Sequence, residues 1–168
     1  MSMQLWSVNT PVGPWTVIAE DGVVLVSSFE SAEATVQRLP EGTEPPARVD
    51  DLGAVSDAVL AYLDGRSDAL DEIPVSQPGG AYRQEVWRVM REIPAGETWS
   101  YTELAAKAGN PAAARAAASA CATNRVAPFV PFHRVVRSDG SLGGYYYGLP
   151  TKSWLLAHER HEDEQLVL

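Results

Sequence analysis

Three short apolar runs mark the first thirty residues. Leu5-Trp6-Ser7-Val8, Trp15-Thr16-Val17-Ile18 and Val23-Val24-Leu25-Val26 are rich in β-branched and aromatic side chains. Thr10-Pro11-Val12-Gly13 and Glu20-Asp21-Gly22 separate them with turn residues. This punctuation predicts a β-meander. The period then changes. Residues 31–39 and 52–63 read as helices, the second with Val55, Val59, Leu60 and Leu63 on one apolar face. Ile73-Pro74-Val75 reads as a short strand, and Ser76-Gln77-Pro78-Gly79-Gly80 as a hinge.

The second half carries mostly the helical period. Residues 82–92 place Val86, Val89, Met90 and Ile93 at helical spacing, and Pro94-Ala95-Gly96 stops the pattern. Ser100-Tyr101-Thr102-Glu103 is a capping box that opens a short helix, and Gly109 closes it. Asn110 is expected as the N-cap of the next helix and Pro111 as its first residue, running to about Cys121. Two short helices across so tight a turn predict a helix-turn-helix. A last helix is expected from Lys152 to about Arg160, with Trp154, Leu155 and His158 inward. The expected fold is therefore α+β. An N-terminal α/β domain (1–78, the meander plus helices) precedes a mainly helical, winged-helix-like domain (79–168). No internal repeat is visible, and only the stretch at 112–120 is of low complexity, being Ala-rich.

Composition narrows the chemistry. The chain has 168 residues and one cysteine, Cys121, so it has no internal disulfide and no multi-cysteine metal site. His133, His158 and His161 lack a metal-ligand spacing, and the acidic cluster Asp64, Asp68, Asp71, Glu72 fits no standard cation loop and reads as solvated surface. Neither a metal nor a cofactor is expected. No apolar run approaches the ~20 residues that span a bilayer, and the first ten residues lack a secretory pattern, so a cytoplasmic monomer without membrane contact is expected.

The formal net charge is −9, yet it is unevenly spread. Residues 1–80 hold 3 basic and 13 acidic side chains, residues 81–160 hold 10 basic and 6 acidic. Screening confines phosphate attraction to about 8–10 Å, so a basic half can bind nucleic acid while the whole chain is acidic. The stretch from Ala112 to Ala120 adds a pointer. It is almost entirely small side chains around Arg115. Such a helix either packs tightly inside the domain or approaches a narrow groove, with Arg115 long enough to enter a base stack.

Several motifs in register now resemble one family. Val130-Pro131-Phe132-His133-Arg134-Val135-Val136 resembles the Pro-Cys-His-Arg-Val active-site motif of the O6-alkylguanine-DNA alkyltransferases. Gly96-Glu97-Thr98-Trp99-Ser100-Tyr101, Asn110-Pro111 with Ala114-Arg115-Ala116, Asn124, Leu142-Gly143-Gly144-Tyr145 and Leu155-Leu156-Ala157-His158-Glu159 resemble its other segments in order and spacing. The match is strong over 81–160 and weak before it. The resemblance implies minor-groove binding to double-stranded DNA and flipping of an alkylated guanine into a pocket, which costs a few kcal/mol of unstacking. It implies that Arg115 fills the gap and that Tyr101 stands beside the extruded nucleotide. Ala116, Ser119, Arg125 and Arg134 are the further DNA contacts expected. Cys121, Phe132, Tyr145, Tyr146 and Tyr147 are expected around the base pocket, Tyr145 as a hydrogen-bond donor to the guanine ring.

The departures set the functional expectation. The acceptor position holds Phe132, which offers no nucleophile, while the residual relay His133, Glu159 and Asn124 is retained. The alkyltransferase-like subfamily also replaces the cysteine and marks alkylated DNA for repair. Its members are generally single-domain, so the first half departs from them. A non-transferring damage sensor with a repair-protein partner is expected. The rivals are an altered transferase or hydrolase using Cys121 or water, and a pocket-blocked adaptor that binds protein. Tyr146 and Tyr147 replace small residues at the alkyl pocket, Ala118 and Ser119 stand where glycine is common, and Arg125 replaces a proline.

Overall fold

The computed structural model describes residues 2–162. They form two compact units, and the first includes a returning segment, 125–129, as well as residues up to Gln77. Its elements are β1 (Gln4–Thr10), β2 (Gly13–Glu20), β3 (Val23–Ser28), α1 (Ala32–Val36), β4 (Ala47–Arg48) and α2 (Ala54–Leu63). The sheet order is β3-β2-β1-β4. The meander is present as expected, with both connections antiparallel. Asp21 and Gly22 both have positive φ, at 52° and 79°. That pair of left-handed residues suits the twist of a two-residue hairpin, and Gly takes the second place without a Cβ penalty.

β2 explains why this unit coheres. Trp15 to Ala19 are all buried, so the strand is covered on both faces. The Trp15 ring sits 5.2 Å from Phe29, 5.8 Å from Tyr62 and 6.2 Å from Phe129, and its indole N–H donates to Ser27 Oγ at 2.9 Å. Phe129 arrives on the returning segment. Ser27 N donates to Arg125 O at 2.9 Å, and Arg125 N to Gln77 Oε1 at 2.8 Å. On α2 the inward face is Val55, Val59 and Tyr62, whereas Leu60 is 49 % exposed. The spacing i, i+4, i+7 turns Tyr62 inward and carries Leu60 outward, which corrects the expected face. Val75 makes a single bridge to Val24 rather than a strand.

The second unit holds α3 (Ala81–Met90), β5 (Trp99–Ser100), α4 (Tyr101–Lys107), α5 (Ala114–Ala122), a 3-10 turn (Phe132–Arg134), β6 (Val135–Val136) and α6 (Leu149–Glu159). β5 and β6 pair in parallel beside the helix-turn-helix of α4 and α5. The Ser100–Glu103 capping box is formed in both directions. Gly109 follows α4 with φ 104°. α5 begins three residues later than expected. Asn110 Oδ1 accepts from Ala112 N in an Asx turn, Ala113 N bonds Asn110 O, and Ala113 is the N-cap. The side chain of Asn110 holds a turn ahead of the helix and so cannot cap it. α6 begins earlier than expected, after Gly148 (φ 96°), with Pro150 in its first turn. Trp154 is half-buried and stacks on His158 at 4.7 Å.

α5 combines both uses of a small-residue helix. Ala117, Ala120 and Cys121 are buried, and α3 and α4 pack against this helix. The Trp87 indole donates to Ala120 O at 2.8 Å, a close approach that short side chains permit. Arg115, Ala116 and Ser119 face outward.

Candidate nucleic-acid interface and base cleft

The capping box turns the chain sharply at Ser100, so Tyr101 leads α4 and lies half-buried at one wall of a cleft. Ala118 and Ala122, one turn apart on α5, supply a wall of methyl groups. Phe132, Gly144, Tyr145 and Tyr146 complete the lining. The cleft has a volume of about 300 Å³, and none of its lining side chains carries a formal charge. It is open despite the three consecutive tyrosines. Tyr146 stands out from it at 66 % exposure, while Phe132 and Tyr145 are buried with ring centroids 5.0 Å apart. Tyr147 is half-buried and meets the other two tyrosines edge-on. Buried Tyr145 has its hydroxyl enclosed, with no hydrogen-bond partner among the described residues.

Behind Phe132 lies a charged network. Glu159 takes His133 Nε2 at 2.8 Å, Arg134 Nε at 2.9 Å and Arg134 Nη2 at 2.8 Å. Arg134 Nη1 donates to Ile93 O at 2.8 Å. Burial pushes the His133 pKa down more strongly than Glu159 raises it, so the imidazole is neutral near pH 7. Burial pushes the Glu159 carboxyl up, but His133 and the Arg134 fork outweigh it and hold it well below the usual carboxylate range. Asn124 Nδ2 donates to Val130 O at 3.0 Å and so fastens the backbone just ahead of Pro131.

This placement corrects one expected DNA contact. Arg134 is 4 % exposed and spends its guanidinium on Glu159 and Ile93, so it cannot reach a phosphate. Arg115, Ala116 and Ser119 share the outer side of α5. Arg125 belongs to the first unit and is not among the residues that build this cleft. Cys121 is 1 % exposed and is not part of the cleft lining. Burial pushes its thiol up to about 12, so almost no thiolate exists at neutral pH.

Lys152 went unnoticed in the sequence. It sits fully buried in the first turns of α6, where its ammonium donates to Val135 O at 2.8 Å, to Leu142 O and to Gly144 O at 3.3 Å. It also lies 5.8 Å from the Phe132 ring centre. One side chain thus ties β6 to the loop that carries the tyrosines. Desolvation lowers its pKa to about 8. No sequence signal marks it, because a lysine on an amphipathic helix reads as surface. Among the described residues there is no cluster of metal ligands and no helix long and apolar enough to cross a membrane.

Comparison with known proteins places this geometry. Residues 81–161 match the model of the 6-O-methylguanine DNA methyltransferase DNA-binding domain. The methylated-DNA–protein-cysteine methyltransferase of Shigella flexneri is 36 % identical over 159 residues, covering 90 % of this chain and 92 % of that one. The chain belongs to the methylated-DNA–protein-cysteine methyltransferase family. The bifunctional transcriptional activator/DNA repair enzyme Ada of Escherichia coli is 39 % identical over 149 residues, 89 % of this chain, which spans only 40 % of Ada's length. Mycobacterium tuberculosis OGT in complex with DNA superposes with a TM-score of 0.76 at 28 % identity, covering 94 % of this chain and 93 % of the other. The α+β fold, with the sheet in the first unit and the helix-turn-helix in the second, is that of the methyltransferase family.

Proposed function

We propose that this chain recognises O6-alkylguanine in double-stranded DNA by flipping the nucleotide into the cleft, and that it holds the lesion without accepting the alkyl group. Phe132 carries the reading. Its ring forms the cleft wall at the position that the motif assigns to the acceptor cysteine, and it offers only carbon to an incoming alkyl group. A transfer step needs a nucleophile within about 3–3.5 Å of the alkyl carbon. Cys121 is a poor substitute, being buried, protonated and outside the lining. Exposed Arg115 on a helix of small side chains suits entry into the groove and occupation of the vacated base position. In this role the chain marks damage for a repair partner.

The test is titration of the protein with a hairpin duplex containing O6-methylguanine or guanine, followed by intact-mass measurement. The expected result is tighter binding to the lesion, no methyl mass on the protein and a persistent lesion. A methylated protein removes the sensor reading, with Cys121 the residue to map first. Equal, weak binding to both duplexes favours a protein-binding adaptor instead.

A further inference from the structure

The sheet of the first unit treats its two edges differently. On the β3 side, segments from later in the chain close the edge. Val24 N donates to Pro74 O, Ser76 N to Val24 O and Ser27 N to Arg125 O, each at 2.9 Å. On the β1 side, closure stops early. β4 pairs only with Gln4 and Leu5, the first two of the seven residues of β1. Ala47 N donates to Met3 O at 3.0 Å and Val49 N to Leu5 O at 2.9 Å, and beyond Val49 the chain leaves the sheet. Successive residues of a strand turn their backbone groups to alternate sides. Met3 and Leu5 turn their carbonyls toward β4, so Ser7 and Asn9 turn their N–H and C=O groups the same way. Both residues are exposed, and no strand lies beside them on that side among the described residues. Backbone donors and acceptors held in strand geometry and open to solvent are a template onto which another extended chain adds.

Charge and size select the occupant. Where the chain departs from β1, Leu5, Ser7, Arg48, Val49 and Asp50 border a groove of about 240 Å³. Arg48 is engaged with Glu33 at 2.9 Å. Asp50 is exposed and has no ion pair among the described residues, so the groove offers its carboxylate to a side chain of the added strand. The surroundings carry the same sign. Residues 1–80 hold 13 acidic and 3 basic side chains, and Arg38 and Arg48 are already paired with Glu30 and Glu33. A second copy of the chain would bring like charge to this edge. The open stretch, residues 7–10, is only about 13 Å long, too little to bury the ~1,200 Å² of a stable dimer. A short, positively charged strand meets both conditions.

We propose that the open end of β1 is a docking site for a basic extended segment of a protein partner. The segment continues the edge that β4 begins, bonds the backbone of Ser7 and Asn9, and sets one Lys or Arg side chain beside Asp50. The site lies wholly in the first unit and uses no residue of the base cleft, so it stands or falls independently of lesion recognition.

The experiment is amide hydrogen exchange by NMR on the isotope-labelled full chain. The probes are the blocked peptide Lys-Val-Lys-Val-Lys-Val, its counterpart with Glu in place of Lys, and the fully N-methylated form of the basic peptide. In the free chain the Ser7 and Asn9 amides should exchange about as fast as those of an unstructured segment. The basic peptide at about 1 mM should slow both at least twofold, the effect of a half-occupied edge, and shift the resonances of residues 7–10 and of Asp50. Added salt should weaken the response. The Glu peptide and the N-methylated peptide should leave both amides unchanged. Asp50→Asn should weaken the response several-fold. Asn9→Pro, which deletes an outward N–H and no bond to β2, should abolish it; should that variant not fold, the N-methylated peptide tests the same backbone bonds. Slow exchange of Ser7 and Asn9 in the free monomer, no response to the basic peptide, or an equal response to the Glu peptide would overturn the proposal. Protection that grows with protein concentration in the absence of peptide would assign the edge to a second copy and overturn it as well.

Discussion

Replacing Glu159 by glutamine keeps the shape of the network behind Phe132 and removes its negative charge. The wild-type carboxylate accepts three charge-assisted bonds, two from the Arg134 fork and one from His133. Both Glu159 and His133 side chains are fully buried, and Arg134 nearly so. In the variant, one end of the amide is a donor that faces donors. The guanidinium keeps its bond to Ile93 O but loses its counter-charge. Breaking a buried pair from one side costs about 3–5 kcal/mol, and the retained carbonyl bond puts the expectation near ~3. That is a large part of the ~5–15 kcal/mol of a typical domain. Urea unfolding at pH 7 measures it. A cost below ~1 kcal/mol would refute the view that this network holds the Phe132 turn in place. The pH dependence supplies a second check. His133 has its folded pKa depressed below 6.5, so the unfolded chain binds a proton that the folded chain refuses, and stability falls as pH drops below that value. Glu159 has its folded pKa depressed below 4.5, so its contribution is present above that value and lost as pH falls further. Wild type should therefore lose stability in two stages on acidification. In Glu159→Gln the lower stage should be missing.

Three further outcomes are expected. Arg115→Ala should weaken binding to alkylated duplex about tenfold or ~1.4 kcal/mol in an anisotropy titration; unchanged affinity for both alkylated and plain duplexes would remove Arg115 from the mechanism. Phe132→Cys should gain methyl mass from O6-methylguanine DNA, at least slowly, because His133 and Glu159 already stand 2.8 Å apart beside it; a folded, lesion-binding but unmodified variant would instead implicate Tyr146 and Tyr147, with Tyr146→Ser plus Tyr147→Gly as the follow-up. Lys152 should give opposite trends in two assays. Deprotonation above about pH 8 releases the carbonyls of Val135, Leu142 and Gly144, so at pH ~9 about a tenth of molecules keep the charged pin and lesion binding weakens up to about tenfold. Its folded pKa is depressed from 10.5, so between about 8 and 10.5 the unfolded chain binds more protons and this group's contribution to stability rises with pH. Lys152→Met should flatten the alkaline fall in binding.

What the sequence revealed, and what it hid, follows from the range of the interactions. The meander was legible because its signals are local. Turn residues at Thr10–Gly13 and Asp21–Gly22 bracket strands whose own side chains prefer a sheet. β4 was hidden for the opposite reason. Ala47 and Arg48 are exposed, number only two, and are a strand only because β1 lies alongside them in parallel. The return of 125–129 to the first unit was equally hidden, since it depends on Ser27 and Gln77 far away in the chain. At the site, residue types were legible and their depth was not. Arg115 and Arg134 each occur in a motif that suggests phosphate or base contact, yet one is exposed and the other is neutralised inside the fold. Lys152 looks like the solvated face of an amphipathic helix and is instead the internal tie of the tyrosine loop. A charge count cannot separate these cases. Two of the ten basic side chains in residues 81–160, Arg134 and Lys152, are internal, so the surface available to a phosphate backbone is less basic than the count implies. Exposed Arg115, Lys107 and Arg137 are among the groups left to supply the attraction, and a steep loss of DNA affinity with added salt must come from exposed groups such as these.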